Sequence, residues 1–319
     1  MELKSINENR FTEIPMEENP QEEVFSRDWE VLLKCHTGTP WELIREMFVE
    51  LSFPVTYGQS ENLEFLTARK RGILPSCLQD AWVPDAPDGI HIYLHQTPIG
   101  RLPVIECESD KDFICLLQSL VYSCEPCHVP DSRGAAIIKN YNNWTRVNMH
   151  RNVLTGAIPK DVSLYRDYIV LLSHRNYSGV TSEAFGLKDA DWRQKSLILR
   201  REHEVAHYMT QRFYHSAKNE IHDEIIADFM GLTLAFGDYD PVKFLTFLGL
   251  ENYPDYRLGG RLEIYLTIDD VDFNSLCKTL ILAAHNIATY YRETCLDRIK
   301  IFHTLCRTSV VEMAKGEFA

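Results

Sequence analysis

The segment DWRQKSLILRREHEVAHYMTQRFYH, residues 191–215, runs for 25 residues without proline or glycine and contains His203-Glu204-Val205-Ala206-His207. Leu199, Val205 and Met209 bracket the pentapeptide, so the spacing predicts one long helix with a buried stripe. Histidines four apart on a helix share a face, about 6 Å apart along the axis. Two imidazoles and a carboxylate are costly to bury without a partner, and a metal ion removes that cost. His203 and His207 are therefore candidate ligands of a catalytic zinc ion. Glu204 stands where it can take a proton from water at an open coordination position.

The third ligand must come from elsewhere. A histidine six residues after His207 would mark one class of metallopeptidase, but that position is Phe213, and His215 is eight residues on. The next helical stretch, NEIHDEIIADFMGLTLAF, offers Glu220, His222, Asp223, Glu224 and Asp228. Glu224 and Asp228 share a face. Glu224 is the preferred ligand, with Glu220 a weaker alternative. Asp228 can accept the free N–H of one histidine, which fixes the ring and raises its basicity. The competing interpretation is a solvated acidic stripe.

H-E-x-x-H followed by a helix with E-x-x-x-D resembles the gluzincins, the thermolysin-like zinc metallopeptidases. The likeness covers His203, Glu204, His207, Glu224 and Asp228, about thirty residues. The longer strings REHEVAHYMTQRF and DEIIADFMG also resemble uncharacterised proteins of bacterial genomes. The resemblance implies a zincin-like fold, one Zn²⁺ per chain and hydrolysis of a peptide or amide bond. It further implies a donor for the developing oxyanion, for which Tyr177, Tyr208 and His285 are candidates. By the same analogy DYIVLLS (167–173) would be the edge strand that holds an extended substrate.

The rest of the chain predicts an α+β fold, with a mixed sheet in the first half and helices in the second. Residues 1–25, acidic and polar, read as a flexible leader; 26–185 form an α/β part and 186–319 a helical, metal-binding part, either as two domains or as one continuous domain. Thr39 and Pro40 open a helix over 39–51. Residues 72–89 are loop, 90–95 and 102–107 a hairpin, 110–122 a helix, and 167–173 a strand. Asp189 or Asp191 caps the long helix, Asn219 caps the next and Gly237 closes it. Asp240-Pro241 opens another, and Phe273 to about Met313 makes two more. Gly259-Gly260 reads as a turn.

The net charge of -13 disfavours a nucleic-acid backbone or an anionic membrane as partner. The densest basic group is Arg193, Lys195, Arg200 and Arg201. The N-terminus lacks the features of a signal peptide and no run is long and apolar enough to span a bilayer. Nine scattered cysteines suit a reducing, cytoplasmic setting. Cys124-Glu-Pro-Cys127-His128 matches a haem-attachment pattern, but without export or a second cysteine pair a structural role is expected for Cys124 and Cys127. YNNWTRV (141–147) reads as a packed corner. VPDSRGAA lacks the glycines of a hydrolase nucleophile elbow.

Three functions compete: a zinc-dependent metallopeptidase or amidohydrolase, a zinc enzyme that tailors or deformylates a small substrate, and a helical binding module with structural metal. Glu204 separates them, because a structural zinc usually has four protein ligands and no adjacent base.

Overall fold

The computed structural model describes residues 9–76, 81–139, 141–152, 155–216, 220–265, 272–294 and 297–318. The architecture is α+β with one four-stranded mixed sheet. The chain divides into two compact units, one of residues 21–130 and 135–174, the other of 1–20, 131–134 and 175–319.

The sheet unit contains helices α1 (Val24–Cys35), α2 (Pro40–Met47), α3 (Leu63–Arg71), α4 (Asp110–Leu120) and α5 (Trp144–His150), and strands β1 (Ile90–Thr97), β2 (Gly100–Cys107), β3 (Ala135–Ile138) and β4 (Ile169–Ser173). The strand order is β1-β2-β4-β3. The expected hairpin forms, with Ile90 opposite Cys107 and Thr97 opposite Gly100. β4 runs parallel to β2 and antiparallel to β3. It is therefore central and not the edge strand that the family analogy suggested. All five β4 residues are buried, which is why the run is continuously apolar and does not alternate.

α2 starts as expected, with the Thr39–Glu42 capping box, but ends at Met47, and a 3₁₀ turn follows at Val49–Ser52. Cys124 is buried in a cluster with Val49, Phe53, Phe65, Trp144 and Val147, and burial first pushes its thiol up to about 12. Cys124 and Cys127 are both free thiols. Trp144 fills the corner anticipated for YNNWTRV, and α5 also buries Arg146 on Asp28 and Asp167.

The other unit is helical: α6 (Asp189–Tyr214), α7 (Ile221–Phe236), α8 (Pro241–Leu248), α9 (Phe273–Thr294), α10 (Arg298–Arg307) and α11 (Val310–Lys315). α6 packs along α7, α10 packs on α7, and α9 packs on α8 and α11. Lys188, not an aspartate, is the N-cap of α6, with Asp189 and Asp191 inside the first turn, where they face the positive end of the helix dipole. The expected cap Asn219 lies outside the described residues. Gly237 closes α7 in the left-handed region (φ 76°) and Asp240 caps α8 through the Val242 N–H. The Phe273–Met313 region holds three helices, not two, because Asp297 caps α10 and a Ser309–Glu312 capping box starts α11.

Two expected boundaries differ. The units meet at 174/175 rather than near 185, because residues 175–177 are tied to α6. The Tyr177 N–H donates to Ser196 Oγ at 3.1 Å and Arg200 donates to the carbonyls of Arg175 and Asn176. Nor is the described part of the leader loose. Phe11 is buried, edge-on to Tyr214 and His222 at 5.7 and 5.0 Å, and the Glu17 N–H donates to the Phe213 carbonyl at 2.8 Å. Residues 21–25 belong to the sheet unit, where α1 begins.

Phe11→Ala should destabilise the helical unit by about 3 kcal/mol through lost burial, read as a lower denaturation midpoint; an unchanged midpoint would show that the segment is not docked. A second outcome concerns Glu50, whose Oε2 is buried without a hydrogen-bond partner. Burial, outweighing Arg69, raises its pKa to about 7 from 4.5. The folded state then holds the proton more tightly than the unfolded one, so stability falls as pH rises from 4.5 towards 7. The loss amounts to about 3 kcal/mol by the linkage constant. Glu50→Gln should abolish this slope and be more stable than wild type at pH 8, measured by denaturant titration across pH.

Candidate metal centre

α6 and α7 approach closely because Gly231 faces the backbone of α6. A Cβ there would lie 2.9 Å from the Leu199 carbonyl oxygen. Gly231 is three residues beyond Asp228, and Leu199 is four before His203, so this contact sets the helix separation one turn from the candidate ligands.

At that level His203, His207 and Glu224, all buried, bring their ligand atoms within 4.8 Å of one another. The Nε2 atoms of the two histidines are 3.0 Å apart. His203 Nε2 lies 3.3 Å from Glu224 Oε2 and His207 Nε2 lies 3.4 Å from Glu224 Oε1. A tetrahedral ion with ligands at about 2.0–2.1 Å has ligand–ligand edges of roughly 3.3–3.4 Å, so the three groups fit such an ion.

The backs of both rings are fixed. His203 Nδ1 lies 3.0 Å from Asp228 Oδ1 and 2.9 Å from the Tyr177 hydroxyl. His207 Nδ1 lies 3.0 Å from Asp223 Oδ2, and Thr210 Oγ1 lies 3.2 Å from the other Asp223 oxygen. Carboxylates accept, so each ring carries its proton on Nδ1 and turns an Nε2 lone pair towards the other. Behind Asp228 stands Arg261, which donates through Nη2 to Asp228 Oδ2 and through Nη1 to the Tyr177 hydroxyl, the latter at 2.9 Å. Tyr177 in turn donates to Asp228 Oδ1 at 2.5 Å.

Charge points the same way as distance. Asp223, Glu224, Asp228 and Arg261 are all buried, and three carboxylates against one guanidinium leave two negative charges. Burial pushes the Glu224 carboxyl up, but the two imidazoles outweigh it and hold it well below the usual range. Burial pushes His203 and His207 down, but the carboxylates around them raise both. Without a cation the pocket attracts protons, yet two imidazolium rings cannot aim N–H groups at each other across 3.0 Å. A divalent cation between the lone pairs satisfies both the charge and the geometry. Glu224 Oε2 is buried without a hydrogen-bond partner.

The chain belongs to the DUF7005 family. The model of this family of unknown function matches residues 1–317. Neither a curated protein nor a solved structure matches the chain.

In this DUF7005 chain the remaining candidates lie as follows. Glu204 is partly exposed on α6, roughly 60° around the helix from His207 at 100° per residue, and is not among the three converged groups. Glu220 precedes α7 as its N-cap and lies outside the converged group. Of the oxyanion candidates, Tyr177 sits behind His203, on the Nδ1 side. Tyr208 is buried and accepts from Arg212 on its own helix at 2.7 Å. His285 is exposed on α9.

Three residues of the cluster carry no role that the sequence signals. Asp223 was visible only as one more acid before Glu224. Arg261 and Tyr265 lie on a 3₁₀ turn, Arg261–Tyr265, after Gly259-Gly260, and no spacing signals them. Burial first, then the nearby Glu224 charge, raises the Tyr265 pKa well above normal.

Gly231→Ala should force α6 and α7 apart, destabilising the protein by about 1–3 kcal/mol and weakening zinc binding in a chelator competition. Unchanged stability and affinity would show that this contact does not set the helix spacing.

Proposed function

We propose that the protein is a zinc-dependent hydrolase of gluzincin type in a zincin-like fold, one Zn²⁺ per chain, acting on a peptide or small amide substrate. The observation that carries this reading is the convergence of His203, His207 and Glu224, each imidazole backed by a carboxylate. Zinc held there would supply Lewis acidity, acidifying water and polarising a carbonyl.

The chain's own residues do the rest. Asp228 and Asp223 hold the two imidazoles in the tautomer that presents Nε2. Among the described residues three protein groups converge, and a fourth position open to water or substrate is what a catalytic site requires. Glu204, next to His203 on α6 and partly exposed, accepts a proton from water and passes it to the leaving amine. Tyr265, beside Glu224 and half-buried, is better placed to meet a substrate oxygen than Tyr177, whose hydroxyl is engaged behind His203. A cytoplasmic setting belongs to the same reading and is supported by the cysteine distribution; no helix of the described residues is long and apolar enough to cross a membrane.

The test combines metal analysis of purified protein with cleavage of a mixed peptide library. His207→Ala should lose the metal. Glu204→Gln should keep it and lose about 10²–10⁴-fold in rate, the usual worth of a general base. Zinc retained at full stoichiometry in His207→Ala would remove the metal assignment. Unchanged turnover in Glu204→Gln would remove the role of Glu204.

A further inference from the structure

Arg261 is the cluster residue least expected beside a cation, since its charge repels one. It is buried on a turn distant in sequence from both ligand helices, and its three nitrogens differ. Nη2 and Nη1 are committed to Asp228 and Tyr177. Nε is buried without a hydrogen-bond partner, and so is Glu224 Oε2, 3.9 Å away. An orphaned donor facing an orphaned acceptor, just beyond hydrogen-bond range, is rare in a protein interior. Both costs fall if the pair closes by a few tenths of an ångström.

We propose that Arg261 is a positioning residue that couples two of the three ligands. Through Asp228 and Tyr177 it fixes the His203 ring, and through Nε it restrains Glu224. The proposal rests on the metal reading above. Its geometry needs the planar fork of a guanidinium, because an ammonium group cannot serve Asp228, Tyr177 and Glu224 in three fixed directions. Arg261 also stacks on the Tyr177 ring, its guanidinium carbon 5.4 Å from the centroid, so the tyrosine is held from ring and hydroxyl together.

The sign of the effect separates positioning from electrostatics. If Arg261 acted on the cation only as a nearby positive charge, Arg261→Met would raise zinc affinity. If it positions the ligands, Arg261→Met lowers affinity by about 10–100-fold, the usual loss when a group supporting a metal ligand is removed.

The experiment titrates Zn²⁺ into the metal-stripped full-length chain against a chromophoric chelator. It compares wild type, Arg261→Met and Arg261→Lys, each also in an Asp228→Asn background, with circular dichroism of the metal-free forms as the fold control. Arg261→Lys should fall between wild type and Arg261→Met. The loss caused by Arg261→Met should persist at tenfold or more in the Asp228→Asn background, because the Glu224 arm remains. Affinity unchanged within twofold, or raised, overturns the proposal. So does a loss that vanishes in the Asp228→Asn background, which would make Arg261 only a counter-charge to Asp228. If Arg261→Met does not fold, Arg261→Lys in both backgrounds is judged by the same criteria, with a loss of at least threefold expected. Wild type binding zinc no better than His203→Ala/His207→Ala would defeat the metal reading and this proposal together. Binding by wild type with no effect at Arg261 would defeat this proposal alone.

Discussion

Two imidazole Nε2 atoms lie 3.0 Å apart, each ring bonded at its back to a buried carboxylate, and that distance suits either one shared proton or the metal ion proposed above. The other features of the helical unit serve that contact. α6 delivers both rings from one face, α7 delivers Glu224 beneath them, and Gly231 lets the helices come near enough for the three to meet. A second layer of Asp223, Asp228, Tyr177 and Arg261 then fixes tautomer and orientation. Burying so many ionisable groups is unfavourable as a stability device. Their gathering in one cluster is what the proposed metal site requires.

The pocket draws on segments far apart in the chain, and the energetic stake rises with each. A histidine whose back is bonded to a carboxylate is a better ligand because its ring cannot rotate and its basicity increases. The carboxylate, in turn, needs its own partner to be buried. Arg261 supplies that partner to Asp228, while Thr210 supplies a hydroxyl to Asp223. Each layer thus removes the desolvation penalty of the layer inside it, and the outermost layer reaches the Arg261–Tyr265 turn.

What the sequence revealed follows the range of the interactions. His203, His207, Glu224 and Asp228 were legible because helical periodicity alone puts them on two faces that can oppose each other. The Thr39 cap, the hairpin at Ile90–Cys107 and the Gly237 stop were legible for the same reason: each is written in neighbouring residues. Sheet order was not. DYIVLLS shows that its residues are buried, but only pairing with Ala135–Ile138 makes β4 central. Arg261 and Tyr265 arrive from a loop with no periodicity. Phe11, a single aromatic in a polar string, gives no pattern that marks it as anchored. Asp223 beside Glu224 looks like any acidic helix start until His207 is seen against it. In each case the missing information was a contact between residues distant in sequence.

One further consequence lies in how the chain is threaded. The helical unit takes residues from both sides of the sheet unit: Phe11 and Glu17 before it, everything from Arg175 onward after it. During synthesis the sheet unit emerges whole and can fold early. The segment around Phe11, made before the sheet unit, has no surface to dock on until Tyr214 and His222 leave the ribosome. The helical unit therefore closes late, around a stretch of polypeptide made well before the helices that hold it.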